Sequence, residues 1–425
     1  MFYLFFIFLI YANYAFAYEQ VVPEKSPYPF KDRKMTGNEQ LLFVQTVWRH
    51  GDRAPVMTYP LDEHQESAWP NGWGELTTLG MKQQYALGKV LRKRYIDEKY
   101  QFISKRYNPK EIYIRSTDVN RTLLSAYSNI AGMFSQGQQG ADYPNDENWP
   151  NHWTPIPVHT IPTDMDHEGN VFAPCPRANQ LDEIIRASDE YVGLIEENKE
   201  FLSFLSENTG MNIEMPIVYL INDVLHIEKI YNLTLPTWAT DEVIAKLRNL
   251  TEFANMYNYG ISEPYVPEMI KLRGGPMLKF LVNQLSAKYS CFLKNNEGEG
   301  CEWLGPLKYH AYSAHDTTIA ALLSTLGDET RVIRGGLPKY TASVAIELWH
   351  LGPKEGAALR ILFHGAFHHN YHVITHLTKG CPDNNEFCSL KTFIKRSQPF
   401  IPKNLEKECV RKEVNNRTTK SFKYI

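Results

Sequence analysis

Three separated segments of the chain concentrate arginine, histidine and aspartate. Arginine side chains surround a tetrahedral dianion with forked, charge-assisted hydrogen bonds and stay charged at any working pH. A neutral imidazole can attack the central atom of such an anion, and a carboxyl group can protonate the oxygen that leaves. Together the segments predict phosphoryl transfer that depends on positioning and charge, without a metal ion. The segments are Arg49-His50-Gly51-Asp52-Arg53-Ala54-Pro55, Arg115-Ser116-Thr117-Asp118 and Ala314-His315-Asp316-Thr317-Thr318.

Taken singly, each segment also has a structural explanation. The first is compatible with ordinary salt bridges in a surface loop. Arg115 is as well suited to capping a helix or pairing with a carboxylate as to binding phosphate. An isolated His-Asp dipeptide at a strand end, such as His315-Asp316, usually has a structural role. The combination of the three segments favours a functional site.

A short apolar or β-branched run precedes each segment, which predicts three strands that end where the chemistry begins. These runs are Leu41–Val47, Glu111–Ile114 and Tyr309–Ser313. Helical patterns follow two of them, at 76–95 and 119–134, and this alternation indicates parallel strands joined by crossover helices. Since catalytic groups of open α/β sheets gather at the carboxyl ends of strands, we expect one shared cleft.

The predicted fold class is α/β, with a mainly parallel sheet flanked by helices and a smaller α-helical cap domain. The proline-rich stretch 141–176 excludes long regular elements and marks a boundary. We predict a discontinuous catalytic domain at 38–178 and 300–410, a helical cap insertion at 179–299 and a polar C-terminal tail at 411–425.

The first 17 residues form an apolar run that ends in small residues, as a cleavable secretory signal peptide does. The run lacks Lys and Arg, so an uncleaved anchor is the alternative. Six cysteines fit an oxidising compartment, and their short separations favour two local disulfides, Cys291–Cys301 and Cys381–Cys388, which leaves Cys175 for Cys409. We expect a protein that is secreted or held in a lysosome-like lumen.

Four N-x-[ST] sequons are usable only in an exported chain. Glycosylation candidates are Asn232, Asn249 and Asn416. Asn120 also heads a sequon, but it lies beside Arg115 at the start of a packed helix, so we expect it to be unmodified.

Composition excludes some partners. The 425 residues carry a formal net charge of -3 and no block of Lys and Arg, which argues against nucleic acid as a partner. After the leader there is no apolar stretch long enough for a membrane anchor.

A histidine-rich stretch suggests a metal site, but its Gly365 and Asn370 favour a turn over a helix, so we predict no metal and no cofactor. Its histidines are His364, His368, His369, His372 and His376.

The motif R-H-G-x-R-x-P at Arg49–Pro55, with the His315-Asp316 pair downstream, resembles the histidine acid phosphatase family. Further segments resemble its animal prostatic and lysosomal-like branch: GWGELTTLG, YIRSTDVNRTLLSA, PIPVHT around His159, and YSAHDTT. The likeness runs from about Glu39 to the Cys409 region.

This resemblance implies a secreted acid phosphatase that hydrolyses small-molecule phosphate monoesters to alcohol and inorganic phosphate. It implies that His50 is the nucleophile, forming a phosphohistidine, and that Asp316 is the general acid. It matches Arg49, Arg53, Arg115 and His315 to phosphate-binding positions. The family's usual disulfides correspond to Cys175–Cys409 and Cys381–Cys388, and homodimers are common in this branch.

Other functions stay open on the sequence alone. A phytase or a lipid-phosphate phosphatase would share the nucleophile and the arginines. A catalytically idle secreted binding glycoprotein is the alternative from another class, although such proteins often lose a catalytic residue and this chain retains all six. One departure from the family lies at Asn120, where similar proteins usually carry aspartate.

Overall fold

The core of the protein is one seven-stranded mixed sheet. The computed structural model describes residues 33–97, 100–333, 337–366 and 369–413. The strands are β1 Gln40–Arg49, β2 Ile112–Ser116, β3 Tyr309–Ala314, β4 Ser343–His350, β5 Ala357–His364, β6 His372–Val373 and β7 Cys388–Ser389. Their order in the sheet is β2-β3-β1-β4-β5-β6, and β7 pairs with β5.

Parallel pairing is confined to the half of the sheet that bears the three motifs. Strands β1 and β2 both pair parallel with β3, whereas β4 pairs antiparallel with β1 and β5. The α/β class with a helical unit is confirmed, but the expectation of a mainly parallel sheet holds only for this half. The reason is the short connection 351–356 between β4 and β5, which allows a hairpin and is too short for a crossover helix.

The helices flank the sheet and form a separate group between 176 and 273. Single turns of 3-10 helix lie at Glu66–Ala68, Met215–Ile217, Thr375–Leu377 and Gln398–Phe400, and a π-helical turn lies at Lys93–Asp97. The α-helices are Thr78–Arg92, Asn120–Met133, Pro176–Arg186, Asp189–Glu197, Lys199–Thr209, Val218–Ile230, Asp241–Tyr259, Pro267–Arg273, Gly275–Leu293, Cys301–Leu304, Asp316–Leu326, Glu329–Val332, Leu390–Ser397 and Leu405–Glu408.

Each face of the sheet buries its own apolar core. Helices Gly275–Leu293 and Asp316–Leu326 pack on one face, and helices Thr78–Arg92 and Asn120–Met133 pack on the other. Strand β1 lies between these layers with nine of its ten residues buried, which explains its almost continuous apolar sequence.

The helices between 176 and 273, which we call the cap, bury a third core of their own. The predicted cap reached residue 299 and so included helix Gly275–Leu293. In the structure this helix buries Leu278, Leu281 and Leu285 against the sheet, so the helical unit ends before Gly275. A helical pattern in a sequence indicates an apolar face but does not indicate which layer covers it.

Three disulfides connect Cys175 with Cys409, Cys291 with Cys301, and Cys381 with Cys388, which are the pairings that the sequence predicts. The first joins the start of the cap to the end of the described chain. None of the helices in the described ranges is long and apolar enough to cross a bilayer.

Asn232 and Asn249 are both exposed, and so is the side chain of Asn120. The predicted leader 1–17, His368, Asn416 and the tail beyond 413 lie outside the described residues.

A buried charge network joins β4 and β5 to the helical layer. Glu347 is fully buried and pairs across the strands with Arg360. Its carboxylate accepts from Arg360 Nε at 2.9 Å, from Arg94 Nε at 2.8 Å and from the Tyr95 hydroxyl at 2.9 Å. Burial alone would raise the pKa of Glu347, but Arg94 and Arg360 lower it to about 2.

We predict that Glu347→Ala lowers the free energy of unfolding by about 3–5 kcal/mol, because Arg94 would lose its counter-ion and Arg360 would keep only its pair with Glu386. The stabilisation is present above the ordinary pKa of glutamate and is lost as the pH falls toward about 2. Urea unfolding at neutral pH measures the change. Glu299→Ala, in an exposed loop, is the matched control. Equal unfolding midpoints for the two variants would contradict the proposed importance of the network.

Candidate active site

The parallel register brings the first and third motifs to one level. Arg49 is the register partner of Ala314, and the amide of His50 donates to the carbonyl of Ala314 at 3.0 Å. His50 and His315 therefore leave the sheet side by side, with ring centroids 5.7 Å apart. Helix Asp316–Leu326 begins immediately after β3, so Asp316 enters the same space.

Arg49 links the two strand ends through an ion pair. Its Nη2 lies 2.9 Å from a carboxylate oxygen of Asp316, and its Nη1 donates to the carbonyl of Pro338 at 2.7 Å. Its Nε is buried without a hydrogen-bond partner in the described structure. One N–H of Arg49 is therefore available for a ligand.

The ring of His50 has a defined tautomer. Nδ1 lies 2.7 Å from the carbonyl oxygen of Gly51, and a carbonyl can only accept, so Nδ1 carries the proton of the neutral ring. Nε2 then holds the lone pair. An imidazole with one nitrogen fixed as a donor and the other unprotonated is prepared for nucleophilic attack.

Burial and surrounding charge keep both histidines neutral. Burial lowers the pKa of His50 well below its usual value, and Arg49 and Arg121 lower it further. The same causes, burial first and then Arg121, lower the pKa of His315 to about 3. His50 thus remains unprotonated at mildly acidic pH.

Asp316 is held as a carboxylate in the protein without ligand. Burial alone would raise its pKa, but Arg49, Arg53 and His315 together lower it. An anion bound to the same arginines would offset their charge and raise the pKa of Asp316. The carboxyl group is therefore placed to carry a proton once an anionic ligand is present.

Arg53 reaches from the catalytic loop to the cap. Its Nη1 and Nη2 donate to the two carboxylate oxygens of Asp223 at 2.9 and 3.2 Å, and Asp223 belongs to helix Val218–Ile230. Its Nε is buried and has no partner within the described ranges. The bidentate pair orients the guanidinium and leaves the Nε edge for a ligand.

Arg121 completes the site, and the sequence reasoning missed it. It lies in the first turn of helix Asn120–Met133, and its charge acts on His50, His315 and Asp316. Burial and the repulsion of Arg53 and Arg49 lower its pKa to about 10, so it stays protonated. Among the described residues Arg121 has no ion-pair partner, and its buried Nε forms no hydrogen bond. Its charge acts on both imidazoles, and in the described part of the chain no carboxylate forms an ion pair with it.

Arg115 does not join the cluster, which corrects the prediction that it binds phosphate there. Its Nη1 and Nη2 donate to Glu168 at 2.6 Å and to Asp166 at 2.9 Å, and its guanidinium lies 4.9 Å from the ring centroid of Tyr312. The register gives the reason, because Tyr312 is the partner of both Arg115 and Val47. Arg115 thus lies two residues, about 7 Å, short of the level of Arg49. The signal in the sequence was the second arginine of YIRSTDVNRT.

Close backbone contact fixes the loop that carries His50. A Cβ on Gly51 would lie 2.2 Å from the carbonyl oxygen of Gly80, and one on Gly80 would lie 2.1 Å from that of Asp52. Only glycine allows the loop to lie directly on helix Thr78–Arg92. The amide of Gly51 also donates to Ser125 Oγ at 3.0 Å, so both helices of this layer hold the loop.

Asp52 connects the loop to the cap. It is fully buried and accepts from the hydroxyl groups of Thr77 at 2.6 Å and Tyr231 at 2.5 Å. Burial raises its pKa, while these two hydrogen bonds act in the opposite direction. Tyr231 directly follows helix Val218–Ile230, so the helix that supplies Asp223 is anchored at a second point.

A model for the histidine phosphatase superfamily (branch 2) matches residues 40–364, which span β1 to the end of β5. The chain belongs to this superfamily. The family hydrolyses phosphomonoesters through a histidine intermediate. Its model covers the segment with His50 as well as the segment with His315 and Asp316, which the fold brings together.

Similar proteins in the superfamily include acid phosphatases. The chain is 36% identical to lysosomal acid phosphatase of Xenopus laevis, covering 88% of this chain and 79% of that protein. It is 34% identical to prostatic acid phosphatase of Homo sapiens, covering 89% and 90%. The apo form of Hafnia alvei phytase superposes with a TM-score of 0.61 at 14% identity, covering 88% and 99%, which shows a shared fold.

We predict that replacing Arg121 weakens phosphate binding and that replacing Arg115 does not. Arg121→Ala should raise the KM for 4-nitrophenyl phosphate and the Ki for inorganic phosphate by about tenfold or more, because one charge-assisted contact to the anion is lost. Arg115→Ala should leave both constants near wild type and lower the thermal midpoint, because Asp166 and Glu168 lose their partner.

Arg186→Ala, which removes a surface ion pair with Asp182, is the control for loss of an arginine. If Arg115→Ala weakened phosphate binding while Arg121→Ala did not, the assignment of the third arginine would be reversed.

Proposed function

We propose that this protein is an acid phosphatase that hydrolyses phosphate monoesters in two steps, with His50 as the nucleophile and Asp316 as the general acid. One observation carries the proposal. His50 is neutral with its proton on Nδ1, and the charges that act on it include that of Arg121, a partly buried guanidinium without an ion-pair partner in the described chain. A nucleophile next to an unpaired cation is suited to an anionic electrophile.

In the first step Nε2 of His50 attacks phosphorus, and the bond to the ester oxygen breaks. Asp316 donates a proton to that oxygen as it leaves as an alcohol. The Nδ1 hydrogen bond to Gly51 stabilises the positive charge that develops on the imidazole ring. The free N–H groups of Arg49, Arg53 and Arg121 bind the oxygens that are transferred, and no step requires a metal ion.

In the second step water attacks the phosphohistidine. Asp316, now a carboxylate, accepts a proton from this water, and the bond between phosphorus and Nε2 breaks. Inorganic phosphate is released and His50 returns to its neutral form. The same carboxyl group thus serves as acid and then as base, as microscopic reversibility requires.

Two observations support a proposal for the compartment. Three disulfides are typical of an oxidising environment, and the relatives include lysosomal and prostatic acid phosphatases. We propose that the chain is exported after cleavage behind Ala17 and is secreted or retained in a lysosome-like lumen. We also predict glycans at Asn232, Asn249 and Asn416, which mass analysis before and after deglycosylation tests. A homodimer is a further prediction, which light scattering tests.

The nucleophile and the acid can be distinguished by the leaving group. We predict that His50→Ala abolishes turnover of all monoesters. Asp316→Asn should slow an alkyl phosphate far more than 4-nitrophenyl phosphate, because nitrophenolate leaves without a proton. Steady-state kcat/KM for the two substrates measures the contrast. Wild-type turnover by His50→Ala, or equal losses for both substrates in Asp316→Asn, would contradict these roles.

We also predict that activity declines as the pH rises above neutral. The arginines lower the pKa of Asp316, so its proton-bearing form becomes scarcer with rising pH, whereas His50 stays neutral under acidic conditions. The profile of kcat/KM against pH for an alkyl phosphate checks this. A maximum above about pH 8 would be incompatible with Asp316 as the acid.

A further inference from the structure

The segment Pro338–Ala342 crosses the catalytic strand end and is bound to it at three points. The carbonyl of Pro338 accepts from Arg49 Nη1 at 2.7 Å, and that of Ala342 accepts from the Arg49 amide at 2.9 Å. The amide of Thr341 donates to the carbonyl of His50 at 3.3 Å. Tyr340, in the middle of this segment, is therefore held next to the proposed nucleophile.

The ring of Tyr340 lies between two groups of the site. The guanidinium carbon of Arg49 is 4.2 Å from the ring centroid, which is a close cation–π contact. The ring centroid of His50 is 5.9 Å away. The ring thus supports Arg49 and lies next to His50, the attacking group.

The hydroxyl group of Tyr340 is buried and has no hydrogen-bond partner in the described part of the chain. The carboxylate of Asp223, whose charge acts on this hydroxyl, is engaged by Arg53. A buried hydroxyl without a partner is costly, and such groups are commonly satisfied by a ligand or an ordered water.

Charge around the hydroxyl indicates what kind of ligand it meets. Burial raises the pKa of Tyr340, so the group stays a neutral O–H donor at every pH at which the protein works. The charged groups that act on it are the cations Arg53 and Arg49 and the carboxylates Asp223 and Asp52. Asp223 is paired with Arg53, and Asp52 accepts from two hydroxyl groups, so both carboxylates are already engaged. A donor stacked on Arg49 is placed to meet the anion that Arg49 binds.

We propose that the Tyr340 hydroxyl donates a hydrogen bond to a non-bridging oxygen of the phosphoryl group that is transferred. The inference rests on the proposed phosphatase function and adds a fourth donor to its three arginines. In an in-line displacement the leaving oxygen lies opposite His50, near Asp316, whereas Tyr340 lies beside His50 and Arg49. Its contact is therefore with oxygens that stay on phosphorus, and its contribution is independent of the leaving group.

The test removes the hydroxyl and keeps the ring. Tyr340→Phe should lower kcat/KM about tenfold or more and weaken inhibition by orthovanadate by a similar factor, because a hydrogen bond to a charged group is lost. The loss should be the same for 4-nitrophenyl phosphate and for an alkyl phosphate. Tyr340→Leu, which also removes the cation–π contact with Arg49, should lose more.

Tyr289→Phe is the matched control, since its hydroxyl contacts His350 at the opposite end of β4. Thermal midpoints of both Phe variants should match wild type, so that a loss of activity is not a loss of fold. Wild-type kcat/KM and vanadate inhibition in Tyr340→Phe would overturn the proposal, and so would a loss seen with only one class of leaving group. Failure of the wild-type protein to hydrolyse either ester would instead overturn the proposed function.

Discussion

Three guanidinium groups converge where β1 and β3 end, and the two carboxylates that pair with them leave one positive charge unbalanced. Asp316 pairs with Arg49 and Asp223 pairs with Arg53, whereas Arg121 has no such partner among the described residues. Burial first, and then this excess of positive charge, lowers the pKa of His50 and of His315 and keeps both neutral. The arginines outweigh burial at Asp316 and keep it ionised until an anion arrives. The nucleophile, the acid and the binding groups therefore depend on one electrostatic balance, which the bound phosphoryl group completes.

The sequence predicted the parts of this site that local signals specify. Strand β1, its motif and the His315-Asp316 pair could be recognised because an apolar run ends directly at the polar residues. The third arginine could not be assigned, since Arg115 and Arg121 lie six positions apart and only the register shows which of them reaches the strand ends. The role of Asp223 as the partner of Arg53 was also missed, because a single acidic residue in a helical pattern usually indicates a solvent-exposed position.

The same limit applies to the fold. Helical periodicity located helix Gly275–Leu293, but its packing on the sheet instead of in the cap depends on contacts between distant residues. The antiparallel half of the sheet was underestimated because the alternation of strands and helices describes only the three motif-bearing strands, whereas β4 and β5 follow one another with no helix between them. Short cysteine separations, by contrast, restrict the pairing enough that the disulfides could be predicted.

The pair between Arg53 and Asp223 has a consequence for how substrate preference can change. The catalytic loop and the cap share this contact, so the strength of anion binding and the docking of the cap are thermodynamically linked. Substitutions in the cap can then alter affinity for phosphate without touching any substrate atom. Lineages could diversify their specificity by remodelling helix Val218–Ile230 while the chemical groups on the sheet stay unchanged.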